Sequence, residues 1–207
     1  MTYTKTVWTD NVTPVDAAKM NNIESGIASM FAATSATPPG SPVDGQIWYL
    51  PAAAGVTWAF RYNAGSASAY KWEFIGGLPM MAYNNTAGSV GSANTWTDIG
   101  GVPQITTPRA GDYKIDIQAR LANGATAGQA GFVTAVVSGG SPGNFQVGAS
   151  VMAASQTTDV AGFLSGAQLA DFAGIPASTI IRMMYYSSST ALQFANRTLN
   201  VTPIRVS

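Results

Sequence analysis

The chain has 207 residues, with ten Lys plus Arg balanced by ten Asp plus Glu, so it carries no net charge. Only 10% of its residues are charged, against about a quarter in ordinary globular proteins. That balance argues against a basic nucleic-acid surface, and so little charge would make a poorly soluble monomer, which suits part of a large assembly with extensive subunit contacts. Cys and His are both absent, which removes disulfides, thiolate metal sites, the commonest general base and the commonest transition-metal ligand.

Residues 1–12 read as a short extended arm with Tyr3, Val7 and Trp8, and Trp8 is a candidate for docking on a partner. The opening residues lack the charged and apolar regions of a signal peptide, and no run of about 18 apolar residues is present to span a membrane. The expectation is a protein made in the cytoplasm.

Residues 13–34 read as a capped helix. Thr13 is the expected N-cap, Pro14 fits the first helical position and Asp16 the third. Met20, Ile23, Ile27 and Met30 follow at steps of three, four and three, an a/d heptad seam. The next seam position is Thr34, where the pattern fades. A stable free coiled coil needs about three or four heptads, so this seam is expected to work only where something larger gathers the chains. The alternative is a lone amphipathic helix packed on its own domain. Thr37-Pro38-Pro39-Gly40-Ser41-Pro42 is then a stiff linker, and residues 1–37 form an N-terminal attachment and oligomerisation segment.

Residues 38–78 read as a small aromatic β-meander with its own core. Strand-like runs cover 46–50, 56–62 and 70–75; Trp58, Phe60 and Tyr62 share one face of the second run and Tyr70, Trp72 and Phe74 one face of the third, giving the meander an aromatic face. Residues 79–207 read as one antiparallel β domain, a sandwich or jelly roll. Residues 112–121 alternate polar and apolar without exception, the mark of a half-buried antiparallel strand. Phe145, Val147, Ala149 and Val151 alternate likewise, and a phase slip at Pro203 marks a bulge or an edge. Residues 132–137 and 180–186 are apolar on both faces, as expected of strands covered on both sides, by the core and by a neighbouring subunit or a long loop.

Catalysis has little support. Without His or Cys the usual nucleophilic triads cannot form. Asp112 and Asp116, four residues apart on one strand, stand about 13 Å from each other, beyond either glycosidase geometry. The Gly-rich stretch 139–143 lacks the Lys and Ser/Thr of a phosphate loop. No catalytic, cofactor-binding or metal-binding residue is assigned, and the protein is not expected to be an enzyme. The loops 124–128, 138–144 and 187–190, rich in Gly, Ser, Asn and Thr, suit weak glycan contacts multiplied by avidity.

Two stretches resemble known families. The opening WTDNVTPVDAAKMNNIESGI, followed by SPVDGQIWYLP and YKWEFIGG, resembles the N-terminal segments of tailed-bacteriophage structural proteins such as tail-fibre and baseplate-associated subunits. It covers about the first third of the chain. In the C-terminal domain, Trp96-Thr97-Asp98-Ile99, then Pro108-Arg109-Ala110-Gly111-Asp112-Tyr113, then Ala173-Gly174-Ile175-Pro176-Ala177 before 180–186, resemble the tumour-necrosis-factor/C1q-like jelly roll. That resemblance implies a tight trimer, with Tyr113, Ile181, Met183 and Tyr185 as interface candidates by position. It implies no calcium site, since those loops have no counterpart here. Together the resemblances imply a homotrimeric virion protein whose partners are other phage virion proteins and a host cell-surface glycan, with no nucleic acid and no membrane insertion. The leading expectation is a tail-fibre or receptor-binding subunit; the alternative is a capsid decoration or head-fibre protein.

Overall fold

A computed structural model describes residues 16–30, 34–52, 55–123, 129–137, 152–156, 163–164 and 170–207. Among these the chain is mainly β, with one short helix and antiparallel sheets.

The helix α1 spans Ala17–Met30. Its cap is Asp16: the Lys19 backbone N–H donates to Asp16 Oδ1 at 2.8 Å, and the Met20 N–H donates to the Asp16 carbonyl at 3.0 Å. Asp16 therefore stands at the N-cap rather than at the third helical position, because its carboxylate reaches the free N–H three residues on. Lys19 Nζ also donates to its other oxygen at 2.8 Å, and these bonds hold the carboxyl below the usual carboxylate range. Thr13 and Pro14 lie outside the described residues. Among those described, no strand runs along α1 and no helix residue joins the core.

The chain returns to the body at Thr34, which bridges Tyr49 in parallel; the Ser35 N–H donates to the Tyr49 carbonyl at 3.0 Å, and Trp48 Nε1 donates to the Ser35 carbonyl at 2.8 Å. The expected meander follows as β1 (Ile47–Pro51), β2 (Thr57–Tyr62) and β3 (Trp72–Gly76). Its inner face is aromatic. Trp48 lies 5.4 Å from Phe60 and 5.3 Å from Trp72, and Phe60 lies 5.9 Å from Phe74, centroid to centroid. These rings do not form a core of their own. They merge with one cluster that runs through the rest of the chain, and Trp58 touches Tyr113 at 6.4 Å. Gly77 closes the unit at φ 126°, where a Cβ would stand 2.6 Å from the Thr57 carbonyl oxygen, so only glycine fits.

The remaining strands are β4 (Met80–Asn84), β5 (Gly88–Ser89), β6 (Gln104–Thr106), β7 (Gly111–Asn123), β8 (Gln129–Val137), β9 (Met152–Gln156), β10 (Phe163–Leu164), β11 (Ala170–Ile175), β12 (Ile180–Ser187) and β13 (Leu192–Val206). The expected strand at 145–151 lies outside the described residues. One sheet runs β1-β2-β3-β13-β7-β10, with β11 also on β7 and with β4 and β5 also on β13; the other runs β6-β12-β8-β9. The strand β13 holds the larger sheet together, pairing with β3, β4 and β5 along one edge and with β7 along the other. The phase slip at Pro203 is a bulge: the register on β7 shifts between Pro203 and Arg205.

The alternation of β7 works as its pattern implies. Tyr113, Ile115, Ile117, Ala119 and Leu121 are buried, and the even positions between face out. The inner faces of the two sheets meet, with the Tyr185 and Phe194 rings 5.1 Å apart. They pack tightly at Gly131, where a Cβ would collide with the Leu121 and Leu192 methyls and lie 3.2 Å from the Phe194 ring. Gly131→Val is therefore expected to lower stability by about 1–3 kcal/mol through overpacking, measured by urea unfolding, with Gly131→Ala falling between it and the parent.

Candidate functional site

The residues expected to contact a neighbouring subunit have a different place. Tyr113, Ile181, Met183 and Tyr185 are all 0% exposed within the single chain. The Tyr113 hydroxyl donates to the Arg109 carbonyl at 2.6 Å, and the Tyr185 hydroxyl lies 3.6 Å from Met183 Sδ. These side chains fill the space between the two sheets of one protomer, so they hold the protomer together and present no surface to a second copy. Neighbours on β12 point the other way: Ile180 is 37% exposed, and Arg182 and Tyr186 are half-buried. Between them Met184 and Thr134 opposite it on β8 are buried without any second chain, as is Val136 opposite Arg182. The inner face of these strands is covered throughout, whereas the outer face is covered only around Met184, Thr134 and Val136 and is partly open at Ile180, Arg182, Tyr186 and Phe132.

The attachment residues are only partly in view. Trp8 lies outside the described residues. Met20, Ile23, Ile27 and Met30 all fall in α1; Met20 is 44% exposed and Ile23 half-buried, while the side chains of Ile27 and Met30 lie outside the described set. Neither of the two seam residues in view belongs to the core cluster.

The outward side of the smaller sheet carries a row of rings. Trp96 lies 5.7 Å from Tyr186, and Tyr186 lies 5.6 Å from Phe132. The segment before β6 positions Trp96, because Thr97 exchanges backbone hydrogen bonds with Tyr185 at 2.9 and 3.0 Å. Polar groups rim the rings. The Tyr186 hydroxyl donates to Asn94 Oδ1 at 3.1 Å, and Arg182 pairs with Asp98 at 2.5 Å. Half-buried rings beside an amide, a carboxylate and a guanidinium can stack on an apolar face while bonding to hydroxyls.

One functional-looking group escaped the sequence reading. Arg197 is 0% exposed. A bulge between Ala195 and Thr198, with Asn196 at φ 48°, turns it inward. Its Nη2 donates to the Thr86 and Gly100 carbonyls at 3.0 and 3.1 Å, and its guanidinium lies over the Tyr185 ring at 5.6 Å. Nε and Nη1 have no hydrogen-bond partner. The guanidinium thus ties the turns after β4 and before β6 to β13. A signal existed: the apolar positions of β13 change from even (Leu192, Phe194) to odd (Leu199, Val201) across Asn196-Arg197, the phase slip of a bulge.

Asp112 on β7 serves structure. Asp112 pairs with Arg205 at 3.3 Å and accepts the Gly174 N–H at 2.9 Å. Among the described residues no three acidic side chains gather as a metal site would need, and Asp159 lies outside them. Compared with known proteins, the chain matches no family model and no curated sequence.

Proposed function

We propose that this chain is a trimeric, non-enzymatic virion structural protein of a tailed bacteriophage, a fibre or receptor-binding subunit attached through its N-terminal arm and meeting the host surface with its C-terminal β domain. The observation that carries the self-association is α1: a helix with a heptad seam, capped at Asp16, that packs along no described strand of its own chain. So short a helix gains its stability from tertiary or quaternary packing rather than from propensity, and copies of itself supply that packing.

The strand order supports a jelly roll for residues 79–207. Taking β4 onward, β4-β13-β7-β11 lie in one sheet and β6-β12-β8-β9 in the other, the pairing of first strand with last that a double Greek key produces. This agrees with the resemblance of the same residues to the tumour-necrosis-factor/C1q-like domains, which associate in threes. The ring row of Trp96, Tyr186 and Phe132, rimmed by Asn94, Asp98 and Arg182, is the surface best suited to a glycan, and three copies would multiply a weak site.

The test is the location and copy number of the chain in intact particles by cryo-electron microscopy. A few trimers at the tail are expected. Many copies across the head lattice would replace the fibre reading with the decoration reading, and absence from the particle would end both.

A further inference from the structure

We infer that copies of this chain meet through the outer face of the larger sheet at β3 and β4, with Ile75, Leu78, Met81 and Tyr83 as the apolar anchors. The inference rests on the proposed trimer and names its contact surface. Four of the eight large apolar side chains exposed among the described residues fall within residues 75–83: Ile75 at 49%, Leu78 at 73%, Met81 at 64% and Tyr83 at 55%. Scattered exposed apolar groups need no explanation, but a run of them along one sheet does.

Topology makes the run continuous. β3 and β4 lie end to end along the same edge of β13, β3 opposite Arg205–Val206 and β4 opposite Arg197–Val201. Met81 stands opposite Asn200 and Tyr83 opposite Thr198, so uncharged polar side chains flank both anchors on the same face. The segment between the strands is held rigidly from below, since Trp58 Nε1 donates to the Leu78 carbonyl at 2.8 Å and Gly77 turns the chain at φ 126°. The anchors therefore lose little freedom on binding. On the far side of β4 no strand pairs among the described residues.

Charge selects the occupant. Charges of both signs balance on this face: Arg61 pairs with Glu73 at 3.3 Å and Arg205 with Asp112 at 3.3 Å, and β7 adds Lys114 and Asp116 on the far side of β13. Such a face has no field to draw in a nucleic acid or an acidic lipid surface, and it matches the neutral chain itself. The strip also shares its sheet with β1, where Tyr49 is 40% exposed beside the bridge to Thr34 at which the chain arrives from α1.

The absence of cysteine makes the test direct. In the otherwise unchanged full chain, Tyr83→Cys is expected to join copies on treatment with a short bismaleimide, whereas Ile180→Cys on the other sheet leaves single chains. Light scattering is expected to give three copies for the parent, and Met81→Asp with Tyr83→Asp together is expected to raise the dissociation constant on the order of 100-fold while leaving the thermal midpoint of the separated chains in place, because both side chains are exposed. If the parent is trimeric but Tyr83→Cys fails to join copies and the double variant stays trimeric at the parent's affinity, this surface is wrong while the trimer stands. A monomeric parent overturns the surface and the trimer together.

Discussion

Trp58→Ala is expected to lower stability by about 3–5 kcal/mol, the range for truncating a fully buried aromatic. Trp58 is 0% exposed, packs edge-on against Phe60 and Phe74 at 6.2 and 6.5 Å, meets Tyr113 at 6.4 Å, and holds the Leu78 carbonyl through its indole N–H. The Leu78 carbonyl can turn to water, so most of the loss is the cavity and the broken ring contacts. Because the Tyr113 contact joins the meander to β7, the whole chain from β1 to β13 is expected to unfold together. Urea unfolding followed by far-ultraviolet circular dichroism and by the fluorescence of the remaining tryptophans should give one coincident transition, shifted down in the variant. Two separated transitions, or a loss below about 1 kcal/mol, would show that residues 38–78 form an independent unit.

The second large effect is alkaline. Burial pushes the phenols of Tyr113 and Tyr185 far above their ordinary value of 10.0, against the opposing pull of Arg109 on the first and Arg197 on the second. Raised pKa values of this kind stabilise the fold fully below pH 10, where both phenols are neutral in the folded and the unfolded chain alike. Above pH 10 the unfolded chain releases these protons and the folded chain keeps them, so stability falls as pH rises. Each phenol contributes about 1.4 kcal/mol per pH unit, about 2.7 kcal/mol for the pair. Urea midpoints between pH 9 and pH 11.5 should drop along this slope, and Tyr113→Phe with Tyr185→Phe together should flatten it. A slope unchanged in the double variant would locate the alkaline sensitivity elsewhere.

These two tyrosines also show how far the sequence could be read. The alternation of residues 112–121 and the aromatic spacing of residues 58–74 identified strands and their faces correctly, since period-two patterning reports burial directly. It does not say what does the burying. On β12, apolar side chains stand on both sides, and nothing in Ile181, Met183 or Tyr185 distinguishes a protomer's core from the meeting of two protomers; only the opposite sheet, with Phe194 against Tyr185, decides it. The contacts that join residues 38–78 to residues 79–207 were illegible for a similar reason. The linkage depends on Arg205 and Val206 pairing with Glu73 and Trp72, contacts between residues more than a hundred positions apart that local pattern cannot encode. Arg197 was missed because a charged residue in a strand is ordinarily read as facing solvent, whereas the bulge beside it reverses that direction. The helix was legible, but its cap was displaced to Asp16 because Thr13, Pro14 and Asp16 satisfy the same start signal in more than one register.

The position of β13 constrains how this protein comes into being. It lies downstream of every strand it joins: β4 and β5 have no other described partner, and β3 and β7 each need it on one edge. During synthesis, none of those pairings can form until the ribosome has passed Leu192, and the aromatic meander waits with its far edge open until Arg205 and Val206 emerge. Closing loops of this length before any ladder bond is gained makes for slow folding, and the waiting strands offer unpaired backbone to other nascent chains. The chain therefore leaves strand edges exposed on a crowded polysome before its sheets are complete, and its yield should depend on translation rate and on chaperone supply more than on the stability of the finished fold.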